Sequence, residues 1–276
     1  MSFIKEARAA WKDFAATSAA THASSISYYT FFSIVPLLAL CISLISLTGV
    51  NEQEVHLFFM SFVPEALIDL ADALVLDAFE RSGIAISLST LSLLWAASKG
   101  AKALRAGLNS MYAEQENRNV VAVAIISLVA VIALGVLLAA AVWLVFSNSA
   151  LIVLSRVVPH LYTHSSILEL VDSVSTLALG VLVLTLCYTY LPAGNRPFKE
   201  QLPGAVCAVV GGGILSFGFR VYVDNFSNFT VLYGSIATVA LLLFWMYLVF
   251  YILLAGGFLN RYLHERSSDK VESKAR

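Results

Sequence analysis

The stretch Pro203–Asn260, PGAVCAVVGGGILSFGFRVYVDNFSNFTVLYGSIATVALLLFWMYLVFYILLAGGFLN, decides the fold. It holds two long apolar runs, 202–219 and 231–259, separated by a polar segment carrying Arg220, Asp224, Asn225 and Asn228 and leading into Tyr233-Gly234-Ser235. An uncharged apolar run of about 18 residues or more reads as a membrane-spanning helix, because a helix satisfies its own backbone hydrogen bonds in hydrocarbon. Two such runs joined by about eleven residues read as a transmembrane hairpin.

Working outward, the whole chain repeats this character. Of 276 residues, 59% are hydrophobic and 13% charged, against roughly 25% charged in soluble domains. Mean hydropathy is +0.82. The net charge of −1 supplies no basic field, so no nucleic-acid partner is expected. Cys41, Cys187 and Cys207 all lie within apolar runs and read as small packing residues rather than as a disulfide or metal site. No cleavable signal peptide is expected, since the first apolar run starts near Thr30 and is interrupted by Pro36.

Residues 1–29 read as an amphipathic cytoplasmic segment: Phe3, Ile4, Ala7, Trp11 and Phe14 follow helical spacing, with Lys5, Arg8 and Lys12 between them. A first span, about 30–50, is entered through Ser24, Ser25, Ser27, Tyr28 and Tyr29, and Pro36 predicts a kink. Residues 51–82 carry Glu52, Glu54, Glu65, Asp69, Asp72, Asp77 and Glu80, which predicts an amphipathic helix on the bundle or membrane surface. The second span, 83–98, is short at roughly 23 Å, and is followed by a basic stripe, Lys99, Lys102 and Arg105, running toward Asn109 and Tyr112. The third is 120–146. The fourth, 173–191, follows a capping-box pattern, Ser166-x-x-Glu169, which accounts for Glu169 and Asp172. The fifth is 202–219. The sixth, 231–259, is longer than a span needs, so 231–235 is expected to form a bend or loop around Gly234. Residues 261–276 form a basic cytoplasmic tail.

The expected fold class is therefore all-α: a polytopic membrane domain (30–260) of six transmembrane helices with interfacial helices at the N-terminus and between spans 1 and 2. An N-in, C-in arrangement places 14 of the 17 lysines and arginines inside, leaving only Arg81, Arg156 and Arg220 outside.

Within these span limits there is no Asp, Glu, Lys, Arg or His. Coupled transporters place their ion chemistry on such groups, so ion coupling is not expected. Enzyme signatures are missing too: no P-loop, G-x-S-x-G, H-E-x-x-H or C-x-x-C occurs. His160 and His164 stand four apart in an outer loop without a third ligand nearby. The expectation is no catalytic residue, no metal and no cofactor.

Two features remain. Gly204, Ala208, Gly212 and Ser216 recur every four residues, a row that serves either plain helix packing or a seam that slides. Arg220 and Asp224, four apart at the outer end, read as an exposed ion pair or as head-group contacts. With Tyr28, Tyr29, Asn225 and Tyr233 they make the candidate polar mouth.

Several ordered motifs resemble the YihY/BrkB family of bacterial inner-membrane proteins. They are Ser25-Ile26-Ser27-Tyr28-Tyr29-x-x-Phe32-Ser33-x-x-Pro36-Leu37, Trp95-Ala96-Ala97-Ser98 with Ala103-Leu104, Leu108-Asn109-x-x-Tyr112, Leu202-Pro203-Gly204-Ala205, Tyr233-Gly234-Ser235, and Trp245-x-Tyr247 with Leu253-Leu254-x-Gly256-x-x-Leu259-Asn260. The resemblance implies a six-span helical protein of the bacterial inner membrane. It also brings a historical "ribonuclease BN" label, which these residues do not support, and a proposed role in moving lipids or lipid-linked precursors. Many relatives have a Glu near the end of the last span; here the sequence is Gly256-Gly257-Phe258-Leu259-Asn260. The expected function is a lipid or lipid-linked-precursor transporter of flippase type, with a non-transporting envelope-integrity scaffold as the alternative. The partners implied are membrane lipids, and a second copy or an envelope protein.

Overall fold

The computed structural model describes residues 2–46, 82–116, 165–194, 196–225 and 228–275, together with residues 53, 76 and 119. The third expected span, most of the acidic segment 51–82, and His160 and His164 fall outside these residues. Among the described residues the chain is all-α, with no strand. The helices are α1 (Ser2–Ala16), α2 (Ala19–Ser46), α3 (Ser82–Tyr112), α4 (Ser165–Tyr190), α5 (Phe198–Asn225) and α6 (Asn228–Ala275).

Among the described residues, two stretches are long and apolar enough to cross a membrane: Phe198–Val223 on α5 and Val239–Ser267 on α6. They fall on the two runs of the opening hairpin. A shorter apolar stretch, Leu177–Tyr190, lies on α4 within the fourth expected span.

Three boundaries differ from the sequence expectation. The N-terminal segment is not one unit to residue 29. Ser18 takes a left-handed φ of 55°, the Thr17 hydroxyl donates to the Phe14 carbonyl at 2.6 Å, and α2 starts directly afterwards at Ala19. Second, α3 continues through the basic stripe to Tyr112, about 21 Å past residue 98. Third, 231–235 is helix, not loop: α6 is continuous from Asn228, and Gly234 lies within it.

The Ser-rich start of α2 is accommodated by bonds back along the helix. Ser24, Ser27 and Ser33 hydroxyls donate to the carbonyls of Ala20, Ala23 and Thr30 at 2.9, 2.8 and 2.6 Å. Each of these three hydroxyls finds its partner within its own helix. The helix passes through Pro36 without a break.

The described residues fall into two compact units. One holds α1, Arg105 onward in α3, α4, the first half of α5, and α6 from Tyr251. Here α5 and α6 cross closely. A Cβ on Gly204 would fall on the Gly256 carbonyl, and one on Gly256 would lie 2.6 Å from both the Gly204 carbonyl and the Tyr188 hydroxyl. Ala208 is buried beside the same crossing. The expected four-residue row then leaves the contact: a Cβ at Gly212 would meet nothing within 4 Å, whereas one at Gly211 would lie 3.2 Å from Ile252. A helix turns about 100° per residue, so a strict four-residue row drifts by about 40° at each step, while positions seven apart nearly coincide.

The other unit holds α2, α3 to Leu104, and the stretches of α5 and α6 from Ile214 to Phe250. Tyr29 of α2 lies against Gly100 of α3, 3.6 Å from where a glycine Cβ would stand. The Trp245 indole donates to the Ser216 hydroxyl at 3.2 Å, tying α6 to α5. Leu88, Leu91 and Trp95 of α3, and Ile214 and Phe217 of α5, are exposed apolar side chains, as lipid-facing helices require.

Gly204→Ala and Gly256→Ala are each expected to destabilise the chain by about 1–3 kcal/mol, since backbone blocks the added methyl. Gly213→Ala should stay within about 0.5 kcal/mol. Thermal unfolding of the detergent-purified variants checks the contrast.

Candidate functional site

The densest polar assembly lies where α3 ends, α5 begins and the apolar part of α6 finishes. It starts with a proline. Pro203, the sixth residue of α5, has no N–H to give the Lys199 carbonyl, and the helix runs on through it from Phe198 to Asn225. The backbone there is met by a side chain: the Asn260 carboxamide oxygen accepts from the Gly204 N–H at 2.6 Å, and its NH₂ donates to the Gln201 carbonyl at 3.0 Å. The same NH₂ reaches the Tyr112 hydroxyl at 3.4 Å, and that hydroxyl donates to Gln201 Oε1 at 2.6 Å. Tyr112, Gln201 and Asn260 are all buried. The end of α3, the start of α5 and the body of α6 are thereby joined through one amide.

A second layer forms because α3 ends in a tight reversal. Ala113 has φ 53°, with Glu114 N–H bonded to the Asn109 carbonyl at 2.9 Å and Ala113 N–H to the Ser110 carbonyl at 3.3 Å. This is the Schellman pattern, with alanine where glycine is usual. The reversal brings Glu116 back onto Arg105, with which it forms an ion pair, and onto the Asn109 amide at 3.1 Å. Arg105 is only 3% exposed. Asn109 also accepts from the Ala193 N–H at 2.8 Å, fastening the turn after α4. Arg196 lies 4.4 Å above the Tyr112 ring and pairs with Glu114 at 2.9 Å. Gly194 leaves room for that carboxylate.

Further contacts complete the end of the unit. The Tyr188 hydroxyl donates to the Leu253 carbonyl at 2.6 Å. Arg261 donates to the Met111 carbonyl at 3.1 Å and pairs with Glu265. His264 meets Glu200 at 2.8 Å with both half-exposed. Phe14 of α1 packs edge-on against Tyr251 and Phe258, ring centroids 5.5 and 5.2 Å apart. Phe258 is thus a docking surface for α1. Ser110 donates to the Thr17 carbonyl at 2.7 Å.

In chemistry, this assembly is a lock. Its acids face arginines or amides, and no group of three His, Cys, Asp or Glu side chains among the described residues could hold a metal. Burial, offset in part by the Asn260 bond and the nearby Arg196 charge, pushes the Tyr112 phenol up to about 12.

The residues of the expected polar mouth lie on three helices. Tyr28 is 52% exposed on α2, edge-on to Tyr29 at 5.3 Å and tilted against Phe32 at 4.6 Å. Arg220 is exposed on α5, with Asp224 and Asn225 in that helix's last turn, and Tyr233 is near the start of α6. Arg220 stands sixteen residues beyond Gly204, roughly 24 Å along the axis.

The lock residues were missed as a site, although a signal existed. Arg105, Asn109 and Tyr112 recur at i, i+4 and i+7, one helix face. Asn109, Tyr112, Gly204 and Asn260 also sit in the motifs that carry the family resemblance.

Asn260→Ala leaves the Gly204 N–H and the Gln201 carbonyl short of a partner, and should cost about 1–3 kcal/mol. Tyr112 gives a separate test in pH. Its folded pKa lies above the ordinary value of 10, so its contribution to stability is complete below pH 10 and is lost as pH rises toward 12. In unfolding series across that range, Tyr112→Phe should remove this part of the alkaline decline.

The chain is 27% identical over 272 residues to the ribonuclease-like protein YfkH of Bacillus subtilis, covering 96% of each. It is 27% identical over 261 residues to a UPF0761 membrane protein of Alteromonas mediterranea, covering 92% of this chain and 85% of the relative. A UPF0761 membrane protein of Chromohalobacter salexigens is 28% identical over 253 residues; the match covers 88% of this chain and 59% of that protein. No solved structure matches the chain. Residues 10–276 match the family described as Virulence factor BrkB, and the chain belongs to that family.

Proposed function

We propose that this chain is a six-span protein of the bacterial inner membrane, with both termini inside, that moves lipids or lipid-linked precursors between leaflets without ion coupling. The observation that carries the reading is the separation of polarity. The span limits contain no Asp, Glu, Lys, Arg or His, while arginines, carboxylates and amides gather at one end of the helices. A charge-free span region with apolar faces offers a path to lipid and none to an ion.

The topology has its own support. Segments that the positive charges assign to the inside touch one another: Thr17 with Ser110, Asn109 with Ala193, Tyr112 with Gln201, and Met111 with Arg261. Such contacts call for an even number of crossings between successive segments. The six spans supply two in each interval. In this arrangement Arg220, Asp224, Asn225 and Tyr233 are the outer head-group contacts, and Tyr28 and Tyr29 anchor the inner side.

A scaffold of envelope integrity is the second reading, favoured by one observation: the inner charges are paired with each other, Arg105–Glu116 and Arg196–Glu114. A paired cluster stabilises helix ends and offers little to a substrate.

In proteoliposomes, fluorescent phospholipid should cross the bilayer faster with the protein than without it, at a rate indifferent to proton or sodium gradients. No protein-dependent rate would remove transport and leave the scaffold. Precursor tRNA incubated with the purified protein and magnesium should remain uncut.

A further inference from the structure

We infer that the exposed face of α1, carrying Trp11, Arg8 and Lys12, lies on the inner leaflet and recognises anionic phospholipid head groups. The inference rests on the reading that α5 and α6 span the membrane, and extends it to the lipid class met by the N-terminal helix.

The depth of α1 is set by Phe14. Its ring packs against both Tyr251 and Phe258, seven residues apart and about 10 Å along α6. Both lie within the apolar stretch Val239–Ser267. The uncharged part of that stretch ends at Asn260, with Arg261 next in sequence, and the midpoint of the two rings' positions is about five residues, roughly 8 Å, inward of that polar end. Amphipathic helices rest about 5–10 Å into the boundary between head groups and acyl chains. Phe14 therefore holds α1 at that boundary.

The faces of α1 are sorted to match. Trp11 is 65% exposed although its ring lies 6.0 Å from that of buried Phe14. At about 100° per residue, Trp11 stands about 60° around the helix from Phe14. Arg8 and Lys12, both exposed, follow about 60° and 100° further on the same side. Asp13, also exposed, comes about 200° from Trp11. The order around the helix is protein core, indole, two cations, then acid. The two cations thus border the apolar edge and the acid is kept away from them. A tryptophan at the boundary with cations reaching outward from it complements a leaflet of negative head groups.

The test uses the full-length chain in nanodiscs of phosphatidylcholine mixed with phosphatidylglycerol. One variant keeps Trp11 alone (Trp95→Phe, Trp143→Phe, Trp245→Phe) and a second keeps Trp245 alone. Trp11 fluorescence should be quenched by lipids brominated near the head-group end of the chain and shielded from iodide. Phosphatidylglycerol should be enriched over phosphatidylcholine among lipids retained by the purified protein. That enrichment should fall about fivefold for each cation removed in Arg8→Gln and Lys12→Gln, shrink with salt, and persist in Asp13→Asn. Quenching of Trp11 by iodide and not by bromolipid, or an enrichment unchanged in the double variant, overturns the inference. Bromolipid quenching of Trp245 but not of Trp11 does so while leaving the spanning reading intact; loss of both overturns both.

Discussion

The hydrogen bonds from one carboxamide to the backbone of another helix are the constraint on which the rest of this end of the molecule depends. Asn260 of α6 closes on the first turns of α5 beside Pro203, accepting from the Gly204 N–H and donating to the Gln201 carbonyl. That closure is possible only because Gly204 and Gly256 allow the two backbones to approach without side chains between them. In turn it fixes the Gln201 side chain that receives the Tyr112 hydroxyl. Each bond in such a chain polarises the next, and an unsatisfied member costs more in low dielectric than in water. Glycine, proline and asparagine are therefore one device here.

The charged layer depends on that device and on the reversal at Ala113. A buried ion pair carries a desolvation penalty that its attraction offsets only with good geometry. For Arg105 the geometry comes from the returning chain, which places Glu116 on it and on Asn109. The same Asn109 secures the turn after α4. The charged groups thus close the ends of helices whose sides must remain apolar. Polarity is confined lengthwise, by position along each helix, more than around its circumference.

Much of this was legible in the sequence where the signal was extended. Long charge-free runs gave α5 and α6, and the all-helical class followed from the composition. Local geometry was less legible. The break at Ser18 depends on a left-handed residue that is not glycine, so composition does not mark it. Arg105 read as part of a basic stripe because nothing local announces that Glu116, eleven residues on, folds back to meet it. Gly212 looked equivalent to Gly204, yet helical drift turns it away and brings Gly211 to Ile252. Asn260 was visible as part of a motif, but its work lies in the backbone of another helix.

The unbroken course of α6 has a mechanical consequence. From the crossing at Gly256 the helix runs on to Ala275, a stiff arm of about 28 Å beyond the pivot. A tilt of about 5° at the glycine crossing moves the tip of that arm by about 2.5 Å, while side chains next to the pivot barely shift. The Arg261–Met111 and His264–Glu200 contacts sit close to the pivot, where they resist rotation with the least leverage. The far end of α6 therefore acts as an indicator needle, magnifying at its tip small changes in how two membrane helices cross.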